Sequence, residues 1–230
     1  MQQRTRWWLT GIVVVVIAVV GIVVLNVRSS PAPGRVDAQS QVAVDSLPGD
    51  SAPPGEVVRE SSRRLNTVPD SDVTFVEFLD FECEGCRALF PVVEQLRSDY
   101  GDRVNFVIRY FPLPGHVNSE RAARAVEAAA QQGKLEDMYK KMYETQQSWG
   151  EQRVPADAVF RGFASDMGLD MTAYDAVYSD PATTARVQLD VADGKALGVV
   201  GTPSFFVDGT RIQPRSYQDL TDALDKALAA

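Results

Sequence analysis

Soft metal ligands are scarce in this 230-residue chain, which has two cysteines and one histidine, His116. A structural zinc site needs four such ligands and these cannot supply them, so the sequence calls for no metal. No glycine-rich phosphate loop occurs, which leaves nothing to cradle a nucleotide or a flavin, and no cofactor is expected. Basic residues are outnumbered, 23 Lys and Arg against 31 Asp and Glu for a net charge of −8. That balance lacks the electrostatic footprint of a nucleic-acid binder and reads as a solvated acidic face. No fixed-period repeat appears, which argues against a solenoid.

Long apolar runs are also missing, except at the start. Residues 9–27 (LTGIVVVVIAVVGIVVLNV) are 19 residues without a charge, and at ~1.5 Å per residue they can cross a ~30 Å hydrocarbon layer. Trp7 and Trp8 stand where an interfacial anchor belongs, and Arg4 and Arg6 precede them, so residues 1–8 are expected to be cytoplasmic. Arg28 and Arg35 dilute this charge signal, and the orientation rests on the redox chemistry below as well. No small-x-small cleavage site follows before Arg28, which favours an uncleaved single-pass anchor over a secretory signal. Residues 28–55, with Pro31, Pro33, Pro48, Pro53 and Pro54 among polar residues, read as a flexible linker. A folded domain is expected over 56–230, opening with a short strand at Val57-Val58.

Residues 72–81 (DVTFVEFLDF) carry the β-branched and aromatic enrichment of a buried central strand. Glu77 is anomalous there, because a carboxylate in such a strand is either turned to solvent at an edge or buried for a purpose. A helix from Arg87 to Tyr100, kinked at Pro91, and an alternating strand over 103–111 complete a βαβ unit with a parallel pair. From Asn118, a candidate N-cap, to about Leu197 the pattern is helical. Ser204 to Ile212, turning at Asp208-Gly209, reads as a β-hairpin. Ser216 with Asp219 opens a last helix.

Both cysteines fall at the strand-to-helix junction, as Cys83-Glu84-Gly85-Cys86. Two cysteines scattered at random over the chain would land three apart in roughly one sequence in a hundred, so the spacing is informative. A structural disulfide closing so short a loop gains little chain entropy and is labile, which points to a catalytic dithiol. Cys83 sits where unpaired helix N–H groups favour a thiolate and is the expected nucleophile; Cys86, a turn on, is the expected resolving thiol. Glu82 and Glu84 should act against that thiolate, which counsels against a very strong oxidant. His116 reads as structural.

The stretch VEFLDFECEGCRALFP, with Val200-Gly201-Thr202-Pro203 before the hairpin and the helical block between, resembles the membrane-tethered branch of the DsbA-like thioredoxin-fold thiol-disulfide oxidoreductases. The likeness covers residues 56–230. It implies an α/β thioredoxin-like fold with a helical insertion at about 117–197, preceded by the transmembrane helix and linker. It implies Cys83 as the attacking and Cys86 as the resolving half of a redox-active disulfide, and Glu77 as the buried acid that shuttles the resolving thiol's proton. Pro91 matches the family's helix-kink proline, and Thr202-Pro203 its substrate-binding cis-proline loop. At Glu84-Gly85 the chain departs from the Pro-His of the family's strongest oxidases.

The expected function is an extracytoplasmic, membrane-anchored oxidase that introduces disulfides into exported or cell-surface proteins with free cysteines. The resemblance also implies a membrane-bound partner that recycles the dithiol. The alternatives are a reductase or isomerase on the same fold, or a tethered chaperone or binding module with a vestigial dithiol.

Overall fold

The structure, a computed structural model, describes residues 55–230. The expected cytoplasmic residues 1–8, the anchor at 9–27 and the linker as far as residue 54 lie outside the described residues. Among those described, no helix is long and apolar enough to cross a membrane.

Five strands form one sheet: β1 (Arg63–Arg64), β2 (Thr74–Leu79), β3 (Asn105–Tyr110), β4 (Ser204–Val207) and β5 (Thr210–Ile212), in the spatial order β1-β3-β2-β4-β5. The centre is β2. It pairs in parallel with β3 and antiparallel with β4, so Glu77 stands between Ile108 and Phe205. The sequence of β2, TFVEFL, suits a strand covered on both faces, and five of its six residues are buried. The outer strands are short, and β1 and β5 are partly exposed, which limits the unpaired edge they present.

The βαβ crossover is α1 (Glu84–Tyr100), which runs unbroken through the exposed Pro91. On one face of the sheet, Val93 and Leu96 of α1 and Leu220 and Leu224 of α7 (Tyr217–Leu228) pack against Phe75, Phe106 and Phe205. The expected capping box opens α7: Ser216 Oγ accepts from Asp219 N at 3.2 Å, and the Asp219 carboxylate accepts from Ser216 N at 3.1 Å. On the other face lies α6 (Pro181–Ala196), whose Val191 meets Val76, Phe78, Phe111 and Phe206. Here α6 comes so close that a Cβ added at Gly194 would stand 2.7 Å from the Phe111 ring.

Between β3 and α6 the chain builds α2 (Ser119–Ala130), α3 (Leu135–Trp149), α4 (Asp157–Asp166) and α5 (Met171–Ser179). The alanine-rich α2 is the middle of this block and packs on α3, α4, α5 and α6. Its core, including Tyr139, Met142, Trp149 and Phe160, runs without a break into Leu79, Phe81, Cys83 and Cys86. The insertion therefore meets the sheet where the cysteines are.

Three local expectations are corrected. Val57-Val58 is not a strand; the first strand is Arg63–Arg64, because Arg63 and Arg64 find partners in Ile108 and Val107. Strand identity at a sheet edge is decided by pairing, which outweighs the propensity of two valines. Asn118 occupies an N-cap position without a side-chain capping bond. Its side chain is drawn instead to the loop after α3, accepting from Ala156 N at 2.8 Å and donating to Val154 O at 3.0 Å. The helix expected from Arg87 begins three residues earlier, at Glu84, with Cys83 as its N-cap.

A buried charge cluster has no counterpart in the sequence reading. Arg109 of β3, 0% exposed, is ion-paired with Asp190 and Asp193 of α6. Asp193 also receives Arg59 Nε at 2.6 Å, and Arg186 Nη1 is ion-paired with Asp190 at 2.6 Å. Arg109 further donates to the carbonyls of Glu56 and Val57, at 2.9 and 2.8 Å, and Gly55 N donates to Asp193 at 2.8 Å. The leading segment of the domain is thus fastened to β3 and α6 by charge-assisted bonds rather than by strand pairing.

Candidate active site

Cys83 is the N-cap of α1, extended at φ −72 and ψ 124, and Cys86 lies in the first turn. Both thiols are free; Cys86 is 0% and Cys83 8% exposed. Across from them is the loop before β4, with a cis bond between Thr202 and Pro203. Cys83 Sγ is 3.4 Å from the Thr202 carbonyl, 119 residues on in sequence. A Cβ placed on Gly85 would meet Cys83 Sγ at 3.5 Å and Pro203 Cδ at 3.6 Å, so Gly85 leaves the space between dithiol and loop open. Val200, in the same loop, is 89% exposed.

The two thiols are driven apart electrostatically. Cys83 is lowered to about 5, first by a hydrogen bond from Cys86, with burial opposing, then by Thr202 and the first-turn amides of Cys86 and Gly85. The Thr202 hydroxyl is buried with no other partner, which leaves it free to donate to a thiolate. Cys86 is pushed far up, first by burial, then by its bond to Cys83 and the nearby Glu77 carboxylate. The acidic flank does not prevent this. Glu82 turns into the insertion, where its carboxylate accepts from Asn118 N at 2.6 Å and Glu151 N at 3.0 Å.

Glu77 is 3% exposed on the central strand, which removes the edge-strand alternative. Burial, then the charges of Cys83 and Glu94, raise it to about 8. Its folded pKa therefore lies above its ordinary value of 4.5. Such a group favours the folded state at low pH, and that contribution is lost as pH rises between those two values. Glu77→Gln, which cannot ionise, is expected to gain stability over the parent between pH 5 and pH 8, by an amount on the order of a few kcal/mol. Urea unfolding of both forms at the two pH values measures it, and an unchanged difference would remove the buried charge from the account.

Several residues around the dithiol escaped the sequence reading. Asp80, buried at the end of β2, accepts from Glu82 N at 2.8 Å and Leu113 N at 2.9 Å. It also bonds His116 Nδ1 at 2.6 Å, so the lone histidine braces the active-site turn. Burial disfavours charge on His116, but the Asp80 carboxylate outweighs it and raises the imidazole's pKa. Gln146 of α3 reaches the same turn. The sequence signal for Gln146 was a polar residue on the stripe of Met138, Met142 and Trp149. Among the described residues no group of three or more His, Cys, Asp or Glu side chains is placed to hold a metal.

A family model described as thioredoxin matches residues 68–226, and the chain belongs to the thioredoxin family. Among solved structures it is similar to a thioredoxin-like oxidoreductase from Silicibacter pomeroyi DSS-3, at TM-score 0.61 and 32% identity over 74% of this chain and 93% of that one. It shares the fold of oxidised BdbD from Bacillus subtilis, at TM-score 0.65 and 22% identity over 78% of this chain and 99% of that one. It also shares that of the thiol-disulfide exchange protein alpha-DsbA2 from Wolbachia pipientis, at TM-score 0.58 and 21% identity over 70% and 84%. This chain's helical block is inserted between β3 and β4.

Curated relatives include the Na(+)/H(+) antiporter NhaA of Herminiimonas arsenicoxydans, 35% identical over 144 residues, or 63% of this chain and 22% of that protein. Another is Na(+)/H(+) antiporter NhaA 3 of Salinispora tropica, 34% identical over 163 residues, or 70% of this chain and 24% of that protein. The chain spans less than a quarter of the length of these relatives.

Proposed function

We propose that this protein is a disulfide donor, passing the Cys83–Cys86 disulfide to pairs of cysteines in exported or cell-surface polypeptides. The observation that carries the reading is the opposite displacement of the two thiols, Cys83 down to about 5 and Cys86 upward. A couple whose reduced form is stabilised by a thiolate is an oxidising one. In the exchange a client thiolate attacks Cys83 Sγ and the Cys83–Cys86 bond breaks. The Cys86 sulfur leaves with the electron pair and takes a proton, for which neutral Glu77 is the nearby donor. A second client thiolate then attacks the client sulfur of the mixed disulfide and releases Cys83 as thiolate. Client and protein exchange two electrons, and that exchange leaves the protein as the reduced dithiol.

The Thr202-Pro203 loop facing Cys83 is the place for an extended client segment, and an apolar groove of about 270 Å³ beside α1, lined by Leu89, Val92, Phe205, Pro214, Tyr217 and Leu220, offers further purchase for a polypeptide. Residues 9–27 would hold the domain at the membrane with its active site extracytoplasmic, where disulfides persist. A membrane-bound partner that reoxidises the dithiol completes the cycle.

Equilibration with glutathione tests the direction. The expected couple lies above about −180 mV, so glutathione reduces it readily, and the oxidised protein oxidises a reduced client stoichiometrically. A value near that of thioredoxin, about −270 mV, or a dithiol trapped mainly reduced in cells, would instead make it a reductase.

A further inference from the structure

The turn that carries Cys83 is held from the insertion and from the loop that leads into it. Asp80 is braced by His116 and Leu113, Glu82 by Asn118 and Glu151, and the carbonyls of Phe81 and Cys83 by one side chain, Gln146. Gln146 is buried in α3, and its Nε2 donates to Phe81 O at 2.7 Å and to Cys83 O at 2.9 Å. Its Oε1 accepts from Arg87 Nε at 2.9 Å. Both amide hydrogens and the amide oxygen are thus engaged, which sets the orientation of the carboxamide without ambiguity.

Cys83 has particular need of such a hold. An N-cap residue is ordinarily steadied by its own side chain accepting from the first turn, and Cys83 makes no such capping bond in the thiol form. Its carbonyl receives Arg87 N at 3.1 Å, the first bond of α1, and Gln146 supplies the other donor. The peptide after Cys83 is therefore pinned from two sides. That peptide leads directly into the amides of Gly85 and Cys86, which favour the thiolate form of Cys83.

We propose that Gln146 is a positioning residue of the redox site, whose carboxamide reaches from the helical insertion to fix the Phe81 and Cys83 carbonyls and thereby aims the first-turn amides of α1 at Cys83 Sγ. It touches neither sulfur, and acts through the backbone. The inference deepens the reading of Cys83 as the attacking thiolate and rests on it. It also gives the insertion a part in setting the redox couple, since a displacement of α3 would move the carbonyls it holds.

Gln146→Met keeps the length and the apolar stem and removes both donors without adding charge. In the reduced full chain, the 240 nm absorbance of the Cys83 thiolate is expected to titrate about one pH unit higher in this variant than in the parent. The glutathione equilibrium should move about tenfold toward the disulfide form, about 30 mV for this two-electron couple. A second measurement uses the parent alone: the Gln146 side-chain amide resonance, followed by ¹H–¹⁵N NMR, should titrate with the Cys83 midpoint. A variant with a lowered melting temperature but the parent's midpoint and equilibrium would show a packing role only and overturn the proposal, as would an amide resonance that stays flat through the Cys83 titration. A parent midpoint near 8.5 would instead remove the attacking-thiolate reading and this one with it.

Discussion

Cys83→Ser is expected to lower thiol-disulfide exchange by more than about a thousandfold, because it removes the one sulfur that both client and first-turn amides can reach. The size of the loss follows from the state of the thiol. With its pKa near 5, Cys83 is thiolate almost throughout the neutral range, whereas an ordinary cysteine of pKa ~8.5 is only a few per cent ionised there. Cys86→Ser should behave differently. Its sulfur is fully buried and holds its proton, so losing it leaves the attack intact and removes the resolution. Mixed disulfides through Cys83 should then accumulate, and non-reducing electrophoresis after incubation with a reactive client disulfide will show them. Alkylation of the parent dithiol by iodoacetamide should reach its plateau rate by about pH 6. Full activity in Cys83→Ser would favour a binding module with a vestigial dithiol, and trapped adducts at Cys86 would reverse the two roles.

Replacing Arg109 by Met is expected to cost about 3–5 kcal/mol of unfolding free energy, measured by denaturant titration. Two fully buried carboxylates, Asp190 and Asp193, share that guanidinium; removing it leaves Asp190 with Arg186 and the Tyr110 amide, and Asp193 with Arg59 and the Gly55 amide. The carbonyls of Glu56 and Val57 lose a donor in the same step, so the leading segment should loosen along with the sheet. The pH dependence identifies the source. Burial disfavours the Asp193 carboxylate, but Arg59, Gly55 N and Arg109 outweigh it and hold its pKa below the ordinary 3.8. That contribution is present above the ordinary value and is lost as pH falls through the folded one, so the cost of Arg109→Met should shrink toward strong acid. Glu77 works with the opposite sign, its contribution being lost as pH rises from 4.5 to about 8. A loss below about 1 kcal/mol at neutral pH would show that the cluster is solvated and of little consequence.

The elements of the fold and site differ in how far the sequence alone encodes them. The strand at 74–79, the crossover helix, the second strand and the hairpin all show in sequence because each is a run whose period is set by its own backbone and neighbours. The Cys-x-x-Cys is local in the same sense, since its two thiols are brought together by one helical turn. Glu77 could be marked as odd within an apolar strand, but which of its two fates applied depended on β3 and β4 closing over it from both sides. The closeness of Thr202 to Cys83 depended on a loop 119 residues away, and only likeness to a family suggested it beforehand. Gln146, Asp80 with His116, and the Arg109 cluster carried no motif at all. Each is a polar group whose partner comes from a distant element, and in a low-dielectric interior such a group is tolerated only where that partner arrives.

What residues 76–91 determined by themselves is the chemistry: a dithiol at a helix start, with a carboxylate in the strand before it. What the tertiary structure decided is how strongly the two thiols differ. The acidic neighbours Glu82 and Glu84 argued from sequence for a modest thiolate, yet Glu82 is turned away to bind Asn118 and Glu151, while Cys86, the first-turn amides and Thr202 face the Cys83 sulfur. Charge adjacency along the chain is a one-dimensional quantity. The pKa of a sulfur depends on which donors point at it in three dimensions: one helical turn brings Cys86 and the first-turn amides, and the loop before β4 brings Thr202.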